Sequence, residues 1–533
     1  MQAQCLSFGN IPETSKLFLD FLYAFPKLRR YYGYPPFAAS DLLKSEPPAQ
    51  SSERRSLVAA ILTEQNRRWG AAGKTLSNIE LLRQGAGAVV TGQQVALFGG
   101  PAYTFYKALT AINLAQRAME AGTTCVPIFW MATEDHDLAE VNHVFFPAVD
   151  GRLHRLATDA RGVEDQPVGA IALGQDVGPH VQWIKDNFGT GEICSWLEEC
   201  YQPGSTFANA FAKLLTRAFG ESGLIIVDPS DAGFHKLSAP LYCQVISQSQ
   251  SINGQLLDRN TELESAGYHA QVKVTESTSF LFMIEDGARL PIHRRNGGFA
   301  AGNQTFSPDQ LQQQIADAPE RFSANALLRP VIQDYLFPTL AYIGGSAEIA
   351  YFAQSEVLYQ QLLGRTTPIL PRFSATLIEP RIAQWLEKYY LPPKEVMRSE
   401  TELQVELARS VLPRDLQQQF EAAKAGLTSL VGPLKESLRK LDSTVAEAAE
   451  VASRKMHYQL EQLGGRAAHA EIRRNQEISR HASALISALY PQHGLQERTI
   501  PWAYFLAKYG GGLKQDLIAN IGPECPDHQL IAL

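Results

Sequence analysis

Four ionisable residues in a row, Glu134, Asp135, His136 and Asp137, follow the apolar run "VPIFWMA" (126–132). Burying such a cluster unpaired is costly, and a solvated loop has no need of it, so the position suggests the rim of a binding site. Adjacent carboxylates raise one another's pKa and can hold an amine or take its proton. Two plainer readings compete with this. If a helix begins near Asp137, then His136, Glu140 and His143 share one face at spacings suited to a metal, although the pattern is not HExxH. Alternatively, Asp135 and Asp137 merely cap that helix.

A second polar stretch is "TGQQVALFGGPAYTFYK" (91–107). It contains neither GxxxxGK[ST] nor GxGxxG, so neither a P-loop nor a dinucleotide fingerprint is present. Gly99-Gly100-Pro101 precedes a helix, where backbone amides and the helix dipole could receive a phosphate or carboxylate. Thr91, Gln93 and Gln94 could hydrogen-bond a substrate, and Lys107 lies one turn inside the helix. A ligand-free glycine turn is the alternative. "YIGGSAEIAYFAQ" (342–354) offers a similar turn, Gly344-Gly345, ahead of Glu348 and Tyr351. In "PRFSATLIEP" (371–380), Arg372 could offset phosphate charge near Ser374, or form an ordinary surface ion pair.

Such scattered stretches need a scaffold that brings them together. Val89 and Val90 read as a strand, residues 91–101 as its loop, Tyr103 to Ala121 as a helix, and "TTCVPIFWM" as the next strand. That β–loop–α–β unit predicts an α/β fold with a parallel sheet covered by helices on both faces. Ligands bind outside the carboxyl ends of such strands, so Gln93-Gln94 and the 134–137 cluster should face one crevice.

The parallel core takes its first part from 1–142. An insertion follows at 143–219, with short strands in "FFPAVDGRLHRLATD" and "PVGAIALG". Residues 220–245 return to the core through "GLIIVDPSD", 246–319 form a second insertion of antiparallel hairpins, and 320–385 complete the core, with "TTPILPRFSATLIEP" as its last strand. Across 386–490, apolar residues from Leu434 to Leu463 recur at spacings of 3 or 4. They read as a helical hairpin or coiled coil, interrupted at Gly432-Pro433 and Gly464-Gly465. It either packs on itself or joins two copies as a homodimer, the reading preferred here. Residues 491–533 are aromatic enough to fold back on the core.

The 533 residues are 45% hydrophobic and 19% charged, values of a globular chain. A net charge of −7 gives no reason to expect nucleic acid. No apolar run reaches the roughly 20 residues of a membrane helix, and the start lacks a secretory pattern. Six scattered cysteines without a CxxC pair suggest a reduced, cytoplasmic protein.

Taken together, "VVTGQQVALFGGPAYTFYK", "VPIFWMATEDHDLAEVNH", "YIGGSAEIAYFAQ", "PRFSATLIEP" and "LQERTIPWAYFLAKYG" resemble, in this order and over nearly the whole chain, the cysteine-adding enzymes of bacillithiol biosynthesis, the BshC family of cysteine ligases. The resemblance implies a Rossmann-type core related to class I aminoacyl-tRNA synthetases and nucleotidyltransferases, with connective-peptide insertions and a dimerising coiled coil. It implies that cysteine is joined to glucosaminyl-malate through an amide bond. It further implies an adenine nucleotide (ATP or ADP) near the coiled coil and C-terminal region, for which Glu497, Arg498, Lys508, Tyr509 and Gly510 are candidates. The sequence departs from the synthetases: "GGPAYTFYK" lacks both histidines of HIGH, and "PRFSAT" is a distant counterpart of KMSKS. Adenylate, acyl phosphate and another donor therefore all stay open as ways to activate the carboxylate.

On this reading Asp135 or His136 accepts the ammonium proton while Glu134 and Asp137 position the amine. Gln93, Gln94, Gly99 and Gly100 hold carboxylate or phosphate oxygens, and Lys107 or Arg372 offsets charge. Thr91, Tyr103, Asn142, His143, Gly344, Gly345, Glu348 and Ser374 complete the substrate-binding candidates. Whether a metal takes part stays open. A metal-dependent amidohydrolase or deacetylase using Asp135, His136 and His143, and a non-enzymatic nucleotide-binding scaffold, are the competing classes.

Overall fold

In the computed structural model, residues 2–36, 46–71, 73–148, 151–521 and 525–533 are described. Five strands, β1 (Gly87–Gln93), β2 (Cys125–Met131), β3 (Ile225–Val227), β4 (Thr339–Gly344) and β5 (Ile369–Pro371), form a parallel sheet in the order β5-β4-β1-β2-β3. All of Cys125–Met131 is buried, as expected for a sheet covered on both faces. Helix α1 (Ala102–Glu120) connects β1 to β2, α2 (Ala232–Ser265) follows β3, and α3 (Ser346–Leu363) follows β4. The strand order reverses between β1 and β4, which opens a crevice at their carboxyl ends.

Three expectations about the elements change. The stretch read as the last core strand divides at Phe373, whose amide donates to Thr110 Oγ1 of α1 (3.0 Å). Ala375–Ile378 then leaves the core and joins a three-stranded sheet with Gln2–Leu6 and His528–Ala532. The first insertion is mostly helical, with Val177–Phe188, Glu192–Cys200 and Phe207–Phe219 following one hairpin of His143–Pro147 and Leu153–Ala157. Val149 and Asp150 of that hairpin lie outside the described residues. "PVGAIALG" is a short turn, because the amides of Val168 and Gly169 are taken by the carbonyls of Asp135 (2.7 Å) and Thr133 (2.9 Å). Third, Cys5 and Cys525 form a disulfide where six reduced cysteines were expected. Gln2–Leu6 runs beside His528–Ala532, and a pairing across the whole chain has no local spacing signature.

The second insertion forms the expected antiparallel sheet, including Ala288–Arg295 and Phe322–Ala324. Helices α4 (Arg414–Leu441) and α5 (Ser443–Arg474) build a long hairpin. Pro433 and Gly464-Gly465 lie inside these helices, and the chain turns at Asp442, whose side chain accepts the Thr444 amide (2.7 Å). The cap decides the turn, and the long helices absorb the roughly 1–3 kcal/mol that a glycine or proline costs. Leu430, Leu434, Leu441 and Leu463 are more than half exposed on this hairpin. Among the described residues no helix is long and apolar enough to cross a membrane.

Candidate active site

A cleft of about 640 Å³ opens at the carboxyl ends of the core strands. Gln93 and Gln94 enter it from the end of β1 and the residue after it, and Glu134 and Asp135 from the loop after β2. Gln94 Nε2 donates to Asp135 Oδ2 (2.8 Å) and to Glu140 Oε2 (2.8 Å). The two polar stretches therefore meet across one pocket. Asp135 Oδ1 also accepts the His136 amide (2.8 Å), so its carboxylate is held in a fixed orientation.

Lys107 of α1 lies on the cleft floor at the strand reversal. Its ammonium donates to Gly92 O (2.7 Å) and Gln93 Oε1 (2.9 Å) and pairs with Glu348 of α3. Burial lowers Lys107 to about 8 even though the Glu348 carboxylate opposes the change. Burial pushes Glu348 up, but Lys107 and the Gly345 amide outweigh it and hold the carboxyl below its usual range. Gln93 Nε2 donates to Tyr103 OH (3.1 Å), which joins this floor to the cleft wall.

Deeper on the Glu134 side, Glu134 Oε1 lies 3.3 Å from His235 Nε2 of α2. Among the described residues, neither Glu134 Oε1 nor His235 Nδ1 has a hydrogen-bond partner. Burial pushes the Glu134 carboxyl above its usual range, although His235, Arg289 and Arg329 pull the other way. Arg289 lines the same cleft. It lies over the Phe282 ring (3.8 Å) and is held by Ser323 Oγ (2.9 Å) and Ala324 O (2.7 Å). Arg329 donates to Tyr351 OH (2.7 Å). Carboxylates and guanidinium groups thus share one concave surface, suited to a substrate that carries both an amine and carboxylates.

Two family models cover the chain: Bacillithiol biosynthesis BshC, N-terminal Rossmann-like domain, over residues 1–373, and Bacillithiol biosynthesis BshC, C-terminal coiled-coil domain, over residues 375–533. The chain belongs to the BshC family. Relatives named "Putative cysteine ligase BshC" include one from Koribacter versatilis, 44% identical over the full length of both chains, and one from Solibacter usitatus, 38% identical over the full length of both. Another, from Salinibacter ruber, is 31% identical over 98% of this chain and 97% of its own.

Within this BshC fold, Gln93, Gln94, Tyr103, Lys107, Glu134, Asp135, Gly345, Glu348, Arg372 and Arg498 line the cleft. The remaining candidates sit elsewhere. His136 turns to Arg289, whose Nη1 donates to His136 Nδ1 (3.2 Å), and lies 3.9 Å from Asp165. Asp137 caps the helix Leu138–Val141 by accepting the Glu140 amide (3.1 Å). That helix has four residues, so His136, Glu140 and His143 share no helical face, and His143 begins a strand with Nδ1 beside Asn142 Oδ1 (3.1 Å). Among the described residues no three His, Cys, Asp or Glu side chains are grouped to hold a metal.

Thr91 is buried and donates to Ile343 O (2.9 Å), which ties β1 to β4. Gly99 serves packing: its amide donates to Tyr201 OH (2.8 Å), its carbonyl accepts from Trp502 Nε1 (2.9 Å), and Gly100 turns beside it. A Cβ on Gly99 would stand 2.6 Å from Trp502 Nε1, at a φ of +84°. Gly99→Ala is therefore expected to cost roughly 2–4 kcal/mol through overpacking and left-handed strain, read as a lowered denaturation midpoint.

The five residues considered for a second nucleotide site do not converge. Glu497 is buried against Arg372 (2.5 Å) and Arg498 faces the cleft. Lys508 and Tyr509 instead contact Glu379 (2.7 and 2.9 Å), and Gly510 ends the helix Trp502–Tyr509. Ser374 is buried with Glu497 and His528, and Gly344 lines a neighbouring cavity. Arg289, Arg329 and His235 were not found from the sequence. Their positions, in a hairpin, before a proline and inside a helix, carry no local motif.

Proposed function

We propose that the cleft joins cysteine to glucosaminyl-malate through an amide bond, in the cytoplasm and as a homodimer. The observation that carries the reading is the bridge from Gln94 to Asp135 and Glu140, which builds an anionic patch in the same cleft as Arg289 and Arg329. The sugar ammonium sits on that patch and the malyl carboxylates on the guanidinium groups. Glu134 takes the ammonium proton and becomes a neutral carboxylic acid, since the neutral amine is the nucleophile, and His235 lies behind it at 3.3 Å. Asp135, already committed to Gln94 and the His136 amide, orients the amine and is not the base. Lys107, whose protons go to Gly92, Gln93 and Glu348, holds the floor in shape. A cosubstrate must activate the cysteine carboxylate, and an adenine nucleotide is our proposal for it.

The test is a cell lacking its own activity, supplied with this gene and assayed for bacillithiol by mass. Wild type is expected to restore the thiol and Asp135→Asn to fail. Full restoration by both Asp135→Asn and Glu134→Gln would refute the assignment.

The homodimer reading is supported by the exposed leucines of the α4–α5 hairpin. Leu430→Glu combined with Leu434→Glu is expected to convert a dimer into a monomer in sedimentation. A monomeric wild type would refute it.

A further inference from the structure

A second cavity, of about 380 Å³, opens beside the cleft and shares Gly345, Ser346, Ala347, Arg372 and Arg498 with it. Its size is in the range of small-molecule sites, and its shared wall means that two ligands could meet there. Its walls mix the buried apolar side chains of Phe8, Ile11, Phe18 and Tyr490 with polar ones that include Thr14, His269 and Gln271, and Phe8 and Phe18 meet edge to face at 5.0 Å. Glu13 lines the same end, near enough to Tyr490 to act on its phenol. Glu13 and Arg498 are both exposed, and among the described residues neither forms an ion pair. The cavity thus carries a solvent-facing carboxylate and aromatic rings in its wall, with a guanidinium at the junction.

We infer that this cavity is the docking site of the amino-acid substrate, a small thiol-bearing α-amino acid, which it presents carboxylate-first to the cleft. The inference rests on the reading above that cysteine is the acyl donor. The ammonium faces Glu13, the thiol lies against the aromatic rings, where sulfur makes favourable contacts, and the carboxylate meets Arg498 at the junction. Each substrate then has its own entrance, and the reacting groups face one another where the cavities join.

Gly494 gives a clean way to block the cavity. It lines the wall with an ordinary φ of −134°, and an added Cβ would meet nothing nearer than Pro491 O at 3.8 Å. L-cysteine, kept reduced, is titrated calorimetrically into full-length protein preloaded with glucosaminyl-malate. Gly494→Phe and Arg498→Gln are each expected to weaken cysteine binding by about tenfold or more, the scale of one lost charge-assisted contact or a filled pocket. Gly494→Ala is expected to bind as wild type does, and Gly494→Phe to keep its affinity for glucosaminyl-malate. Cysteine binding unchanged in Gly494→Phe, or absent from a wild type that still binds glucosaminyl-malate, would overturn the inference. A wild type that binds neither compound would refute the parent reading, and this inference with it. L-serine is expected to bind several-fold more weakly than cysteine; equal binding would overturn the thiol assignment.

Discussion

Glu134→Gln is expected to slow thiol formation by about 100- to 10,000-fold, the range for losing a positioned general base. The change keeps the side-chain shape and removes the charge. An ordinary carboxylate is too weak a base to deprotonate an ammonium group usefully, and the Glu134 site corrects this through burial, which raises its carboxyl above the usual range. The base form exists above that raised value, so the rate should fall as pH drops through it. His235, 3.3 Å from Glu134, pulls its pKa down, together with Arg289 and Arg329, while Asp228 pushes it up. His235→Asn should therefore cost less, about tenfold, and move the acidic limb of the pH–rate profile upward. A purely structural His235 would lower the rate without moving that limb. Asp137→Asn is the control: Asp137 caps a helix, asparagine caps equally well, and the rate should stay near wild type. A Glu134→Gln enzyme working at the wild-type rate would remove Glu134 from the chemistry.

What the sequence made legible follows the range of each interaction. β1 and β2 announce themselves because burial on both faces demands apolar letters, and the polar residues at their ends stand out against them. Gln94, Asp135 and Lys107 could be placed together because one β–loop–α–β unit determines which ends face the same way. His136 and Asp137 look equivalent to their neighbours in the letters. Only the four-residue helix after them sends one to Arg289 and the other to a cap. Gly99-Gly100 suggests an anion site until Trp502, four hundred residues later, is seen to occupy that space. Arg289 reaches the cleft from an insertion, His235 sits behind Glu134 on a long helix, and nothing local marks either. Elements set by neighbouring residues were readable, and contacts made through another element's side chain were not.

His528→Gln is expected to flatten the pH dependence of stability between pH 6.5 and 4, where wild type should lose about 3 kcal/mol through this one group. His528 is fully buried, with Nδ1 2.7 Å from Ser374 Oγ and Nε2 2.8 Å from Thr376 Oγ1. Ser374 has a single proton and donates it to Glu497 Oε1 (2.9 Å), so it must accept from His528 Nδ1. Thr376 then donates to Nε2, and no site is left for a second imidazole proton. Burial, with Arg372 nearby, lowers the imidazole to about 4 despite the opposing Glu497 charge. A group whose folded value lies below its unfolded value of about 6.5 stabilises the fold fully above that pH, and the contribution is lost as pH falls towards the folded value. Glu497 acts in a separate window. Its carboxyl is held below the usual range by Arg372, which outweighs burial, so its contribution is lost only below the ordinary carboxylate value. Glu497→Gln should be harsher at neutral pH, costing about 3–5 kcal/mol, because it leaves the Arg372 guanidinium buried without a partner. The two variants should differ in shape as well as size: one a flatter pH profile, the other a drop at every pH above about 5. Parallel denaturation midpoints for wild type and His528→Gln from pH 7 to pH 4 would show that folding leaves the imidazole's affinity for its second proton unchanged. The hydroxyl pair around it, and with it the join between the chain's last strand and Arg372 at the cleft's edge, would then need another explanation.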